Sequence, residues 1–203
     1  MRRVLLTLAL ACGLSLSVGP AAAQVSTLGK AASPPVFSNA EKAFDELGDY
    51  SVELGQVKIL KQSPLHVRIN AEVEAASVRV FPEMMVEQSA EVLAYGLFRM
   101  FIHTKANDVT VTAVPVLQTF SDKGSTEKVL KDKSVQVRMT RAEAEKVARD
   151  VIGVQNLNDL VAKELVGWGW SKPMQMTLGQ GRGSKGVDPA FLKALGLQVT
   201  PPK

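Results

Sequence analysis

The stretch Met84 to His103, MMVEQSAEVLAYGLFRMFIH, constrains the fold most, because its apolar residues recur at helical spacing over several turns. On a wheel of about 100° per residue, Val86, Ala90, Leu93, Ala94, Leu97, Met100 and Phe101 fall in one broad sector, the stripe of a helix that covers a sheet. Glu87, Glu91, Tyr95, Arg99 and His103 follow one another at i+4 spacing and form a polar row on the other side. Such a row ordinarily lies in water. Phe98 and Ile102 intrude on it, however, and Gly96 sits mid-helix, where glycine costs about 1 kcal/mol relative to alanine and admits close packing. The outer face is therefore expected to be half covered. Within it Tyr95, Arg99 and His103 are the candidate binding residues. Arginine offers a planar fork of donors and histidine can add another, a combination suited to an anionic ligand.

The segments around this helix read as a sheet and shorter helices. Ser38-Asn39-Ala40-Glu41 has capping-box spacing with Ser38 as the cap, and predicts a helix to about Leu47, stopped by Gly48. From Ser51 to Lys61 the alternation changes parity at Gly55-Gln56, which predicts a bulged strand. Leu65, Val67, Ile69, Ala71, Val73 and Ala75 alternate with polar residues, as in a strand with one face in the core; Ser63-Pro64 is the turn before it. Further strands are predicted at Asp108 to Gln118 and at Ser134 to Met139, with a long hairpin around Asp122-Lys123-Gly124-Ser125. Pro115 places its strand at an edge or a bend. Thr140-Arg141-Ala142-Glu143 is a second capping box, opening a helix from Arg141 to about Ile152 that ends at Gly153. Asn156 or Asn158 caps a further helix through Val166, stopped by Gly167. Trp168, Trp170, Met174, Met176 and Leu178 share even parity, a fifth strand. The expected class is α+β, a mostly antiparallel sheet of 4–5 strands with a long helix (about 83–103) and shorter helices packed on one face.

Met1 to Ala23 carries two arginines, an apolar run from Val4 to Val18, and the small residues Ala21-Ala22-Ala23 before Gln24. It resembles a bacterial secretory signal peptide cleaved between Ala23 and Gln24, which implies a periplasmic or secreted protein. The run is short for a membrane span, and no later stretch is long and apolar enough to be one. Ala9-Leu10-Ala11-Cys12 loosely resembles a lipoprotein box, but Ala9 stands where leucine is usual and the apolar run continues past Cys12. Cys12 is the only cysteine, so a chain beginning at Gln24 has no disulfide, thiol nucleophile or cysteine-ligated metal. The expected organisation is a signal peptide (1–23), a flexible linker rich in small residues and proline (24–37), one α+β domain (38–178) and a Gly-rich basic tail (179–203). From Ser171 onward the basic residues are Lys172, Arg182, Lys185, Lys193 and Lys203, against the single acid Asp188. Such a tail should be mobile.

The glycine-rich stretch is not a nucleotide loop, because Gly186 is followed by Val187 rather than by Lys-Ser or Lys-Thr. Its spread charge would give weak, salt-sensitive attraction to an anionic surface, or simply keep the tail solvated. No metal or cofactor site is expected. His66 and His103 lie on different elements, and neither has a helical partner at the spacing zinc enzymes use. There is no Gly-x-Ser-x-Gly elbow, and the pairs Glu72/Glu74 and Glu143/Glu145 are explained by an exposed strand face and a helix first turn. Trp168 and Trp170 could stack on sugars if exposed, but their parity favours core burial. The polar strand face carrying His66, Arg68, Asn70, Glu72, Thr110, Thr112, Gln136 and Arg138 mixes both signs, as a solvent face or a protein-binding face does. The expectation is an exported non-catalytic envelope protein that binds another envelope protein or an anionic surface. The alternative is a small-molecule-binding domain, or an enzyme without a recognised motif, with a pocket beside the long helix lined by Tyr95, Arg99 and His103.

Overall fold

The alternation from Leu65 to Val73 becomes the centre of the fold in a computed structural model that describes residues 33–180 and 186–197. The cleavage site Ala23/Gln24, Cys12 and most of the predicted linker lie outside the described residues, as do 181–185 and 198–203 of the tail. Strand β2 (Leu65–Glu74) buries Leu65, Val67, Ile69, Ala71 and Val73. It pairs antiparallel with β1 (Val57–Gln62) and parallel with β3 (Asp108–Ser121). Parallel neighbours need a crossover, and the long helix supplies it. The other edge of β3 is shared: Asp108 to Ala113 pair with β5 (Val135–Thr140), and Val116 to Ser121 with β4 (Gly124–Val129), both antiparallel. The sheet is thus mostly antiparallel and the class α+β, as expected.

Pro115 lies in this central strand rather than at an edge. It falls between the two ladders, where its carbonyl accepts from the Leu130 N–H at 2.9 Å. A strand residue points its N–H and C=O the same way, so the donor that proline lacks would have faced the gap between β5 and β4. That gap makes a central proline tolerable.

The long helix runs through α3 (Met84–Ala94), a π-helical turn (Tyr95–Arg99) and α4 (Met100–His103). Gly96 faces the sheet: a Cβ there would lie 2.8 Å from both Val111 methyls and 2.9 Å from Ile69 Cδ1. The close packing that a mid-helix glycine admits is here an approach to β2 and β3. The polar row is not in water either. Every residue from Val92 to Thr104 is buried, because later elements pack behind the helix. Those are α5 (Arg141–Val147), continued by a second π turn (Ala148–Ile152), then α6 (Lys172–Thr177) and α7 (Pro189–Ala194), with α1 (Ala40–Leu47) from the start of the domain. Phe191 of α7 stacks on Phe98 with ring centroids 6.1 Å apart.

Several local expectations shift. The cap of α1 is Asn39, whose Oδ1 accepts from the Lys42 N–H at 2.9 Å, not Ser38. The parity break at Gly55 is a turn with φ of 73°, and the irregularity in β1 lies between Ile59 and Lys61. A short helix, α2 (Ala75–Val80), follows β2 directly. The second capping box holds, with Thr140 and Glu143 bonded reciprocally. Asn156 caps only a 3-10 turn (Leu157–Leu160), and the chain then makes a hairpin of β6 (Val161–Lys163) and β7 (Trp168–Trp170) where a helix was expected. Beyond it α6 replaces most of the predicted fifth strand. Met174 and Leu178 are buried while Met176 is exposed, the i+4 pattern of a helix. Residues 186–197 are packed rather than mobile: Val187, Phe191, Leu192, Leu195 and Leu197 are buried. Among the described residues no helix is long and apolar enough to cross a membrane.

Candidate functional site

The end of α1, the turn that follows it, the outer side of the long helix and the β6–β7 hairpin enclose a cleft of about 640 Å³. Its floor is built by the π turn. Tyr95 and Arg99 both line the cleft from that turn, yet they are only 4% and 2% exposed. π turns are uncommon and recur at functional sites. The hairpin lays Trp170 against Arg99, whose guanidinium carbon is 4.3 Å from the indole centroid and 5.6 Å from the Tyr95 ring. Stacking of this kind holds a desolvated cation against the negative faces of the rings. Tyr50 meets Tyr95 edge-on at 4.8 Å, and Tyr95 meets Trp170 edge-on at 6.2 Å.

His103, the third member of the predicted trio, does not line the cleft. It is fully buried behind Arg99, its Nδ1 2.9 Å from the Pro35 carbonyl oxygen and its Nε2 3.4 Å from Arg99 Nη1. A carbonyl only accepts, so the bonding assigns the proton to Nδ1 and leaves the Nε2 lone pair facing Arg99. Burial lowers the His103 pKa; the bond to Pro35 opposes this and the charge of Arg99 adds to it. The ring is a neutral support for Arg99.

Two donors of the floor remain unpaired among the described residues, Arg99 Nε–H and the Tyr95 hydroxyl. Burial lowers the Arg99 pKa, while Tyr95, Asp49 and Glu164 act to keep it charged. Burial, and then the Asp49 carboxylate, raise the Tyr95 pKa, so the phenol keeps its proton. Asp49 lies near the hydroxyl without meeting the geometry of a hydrogen bond.

Carboxylates stand above this floor. Glu46, Asp49 and Glu164 are exposed, and Glu72 and Glu91 half-buried. Glu72 accepts from Gln118 Nε2 at 2.9 Å and from Gln56 Nε2 at 3.3 Å. Burial raises the Glu91 pKa, opposed by a bond from Gln180 and reinforced by Glu87. Among the described residues lining the cleft Arg99 is the only cation. The chain has two tryptophans and two tyrosines, and all four line this one concavity.

The i+4 row thus delivered Tyr95 and Arg99 to the site and His103 to its support. Asp49, Tyr50 and Glu164 were not anticipated, since they come from a turn and a hairpin that approach only in the fold; Trp168 and Trp170, for which parity favoured core burial, are half-buried and line the cleft. A local signal for the hairpin existed in the glycines flanking Trp168. On the polar strand face the side chains bond one another: His66 Nε2 to Thr112 Oγ1 at 2.9 Å, Thr112 to Gln136 at 3.2 Å, and Arg138 to Asp108. Among the described residues no three or more His, Cys, Asp or Glu side chains converge as metal ligands would. No protein-family model, curated protein or solved structure matches this chain.

Proposed function

We propose that the chain is an exported binding protein that takes a small organic ligand in the cleft beside the long helix. Export follows from the signal-like Met1 to Ala23. The observation that carries the binding role is the floor: the buried Arg99 guanidinium with an unpaired donor and the buried Tyr95 phenol, beneath a wall of Tyr50, Trp168 and Trp170. A buried donor without a partner costs about 1–3 kcal/mol, which an acceptor on a ligand would offset. The cleft falls in the size range of small-molecule sites, about 300–1,000 Å³, and differs from most of them in setting its aromatic walls among many carboxylates and amides, a lining suited to a charged, polar ligand. The test is a thermal-shift screen of the purified chain starting at Gln24 against a small-molecule library, with Arg99→Ala as the control. Compounds that stabilise the wild type and not the variant are expected. An absence of stabilisers, or equal stabilisation of both proteins, would remove the proposal.

A second reading, attachment to an envelope protein, draws on the β3–β4 arm. Phe120 is 63% and Val129 48% exposed, and every residue of β4 is open to solvent. Crosslinking in native cells should then capture one abundant partner, and Phe120→Ser should lose it.

A further inference from the structure

The polar groups of the cleft are sorted by depth. At the floor Arg99 Nε–H is an unpaired donor on a residue almost wholly buried, while the equally buried Tyr95 O–H has the Asp49 carboxylate beside it. The Arg99 donor is best met by an anionic oxygen, because charge-assisted bonds are the stronger ones. Higher up, Asp49 and Glu164 are exposed and Glu91 half-buried, and the only cation among the described lining residues lies beneath them. This arrangement attracts an ammonium group and repels a bare anion. Between floor and mouth Tyr50 and Trp168 offer apolar faces that suit a carbon frame and, through their π clouds, a cation.

We infer that the cleft takes a small zwitterion, with its carboxylate down on Arg99 and its ammonium up among Asp49, Glu91 and Glu164. The inference rests on the cleft being the ligand site proposed above. Neither half of such a ligand suffices alone. An acid without an ammonium must enter past like charges, and an amine without a carboxylate leaves the Arg99 donor unpaired. Free amino acids and short peptides share this chemistry and differ in the distance between their two charges.

Both tryptophans line the cleft, so the intrinsic fluorescence of the chain from Gln24 onward reports its occupancy. The probes are alanine, 5-aminovalerate and dialanine, with valerate and pentylamine as the two halves of 5-aminovalerate. At least one zwitterion should bind saturably, about tenfold or more tighter than either half. Alanine against dialanine separates the amino-acid source from the peptide source. Arg99→Gln should remove the preference for the zwitterion over pentylamine. Glu91→Gln should weaken the preference over valerate and carries the test if the Arg99 variant fails to fold. If either half binds as tightly as the zwitterion, or if only uncharged or purely anionic library compounds bind, the two-ended ligand is overturned while the cleft stands as a site. If no probe and no library compound alters the fluorescence, the cleft reading falls with it.

Discussion

Replacing Gly96 by alanine should loosen the seat of the long helix on the sheet. The added Cβ would meet both Val111 methyls at 2.8 Å and Ile69 Cδ1 at 2.9 Å, where relaxed carbon contacts are about 3.5–4.0 Å. Val111 is fully buried on the central strand, and its β-branch leaves χ1 little freedom, so rotation exchanges one clashing methyl for another. The end of Ile69 is more flexible, but it too is fully buried. Forcing a methyl into a filled core costs about 1–3 kcal/mol, and alanine recovers up to about 1 kcal/mol of helix propensity over glycine. Three contacts at 2.8–2.9 Å with buried side chains put the clash in the upper part of the overpacking range, about 2–3 kcal/mol, so the net loss should be about 1–2 kcal/mol. Urea unfolding reads it as a lower midpoint at an unchanged slope. Because Tyr95 and Arg99 flank Gly96 on the same helix, the shift should also weaken any ligand found for the cleft. A Gly96→Ala protein as stable as the wild type, or more so, would refute the reasoning, since close approach to the sheet would then not be what this position requires.

Three further outcomes are expected. Arg141 Nη2 donates to the carbonyls of Phe101 at 2.7 Å, Thr104 at 3.2 Å and Ala106 at 2.9 Å, closing the end of the long helix; Arg141→Gln should lose about 2 kcal/mol in urea unfolding, within the range for charged hydrogen bonds, and no loss would deny that role. Thr140→Ala breaks the capping box of α5 and should cost about 1 kcal/mol, visible as a lower melting temperature. Burial holds the His103 pKa below its ordinary value, so the unfolded chain takes up that proton at a higher pH than the folded one. Stability should fall as pH drops below about 6.5, by at most about 1.4 kcal/mol per unit from this group, and His103→Gln should flatten the profile below about pH 6.5. An unchanged profile in that variant would contradict the neutral, buried histidine.

What was legible in the chain depended on neighbours close in sequence. The strand from Leu65 to Val73 and the Thr140 box are local patterns, and both are present. The outer face of the long helix was not legible, for two reasons. A fixed angle per residue does not hold through a π turn at Tyr95–Arg99, and burial of the far side is decided by α6 and α7, which come much later. Trp170, Met174 and Leu178 satisfy period two and i+4 alike, so parity alone could not separate a strand from α6. The same limit explains the site. Tyr95 and Arg99 share a helix row and were found together, whereas Asp49 and Glu164 reach the cleft through tertiary packing. His103 stood on that row too. The Phe37 N–H bonds its carbonyl oxygen at 2.7 Å and Pro35 takes its ring N–H, so the incoming chain covers it.

Whether the cleft is a ligand site is read most directly from tryptophan emission in the presence of each compound that raises the melting temperature. Trp168 and Trp170 both line the cleft, and the chain has no other tryptophan. A ligand that binds only the folded state stabilises it by RT ln(1 + [L]/Kd), so the thermal shift at a known concentration gives an affinity. Stabilising compounds should therefore change the emission saturably, with a midpoint matching the affinity that the thermal shift implies. Compounds that stabilise the protein while leaving the emission unchanged would place binding elsewhere and contradict the proposed site.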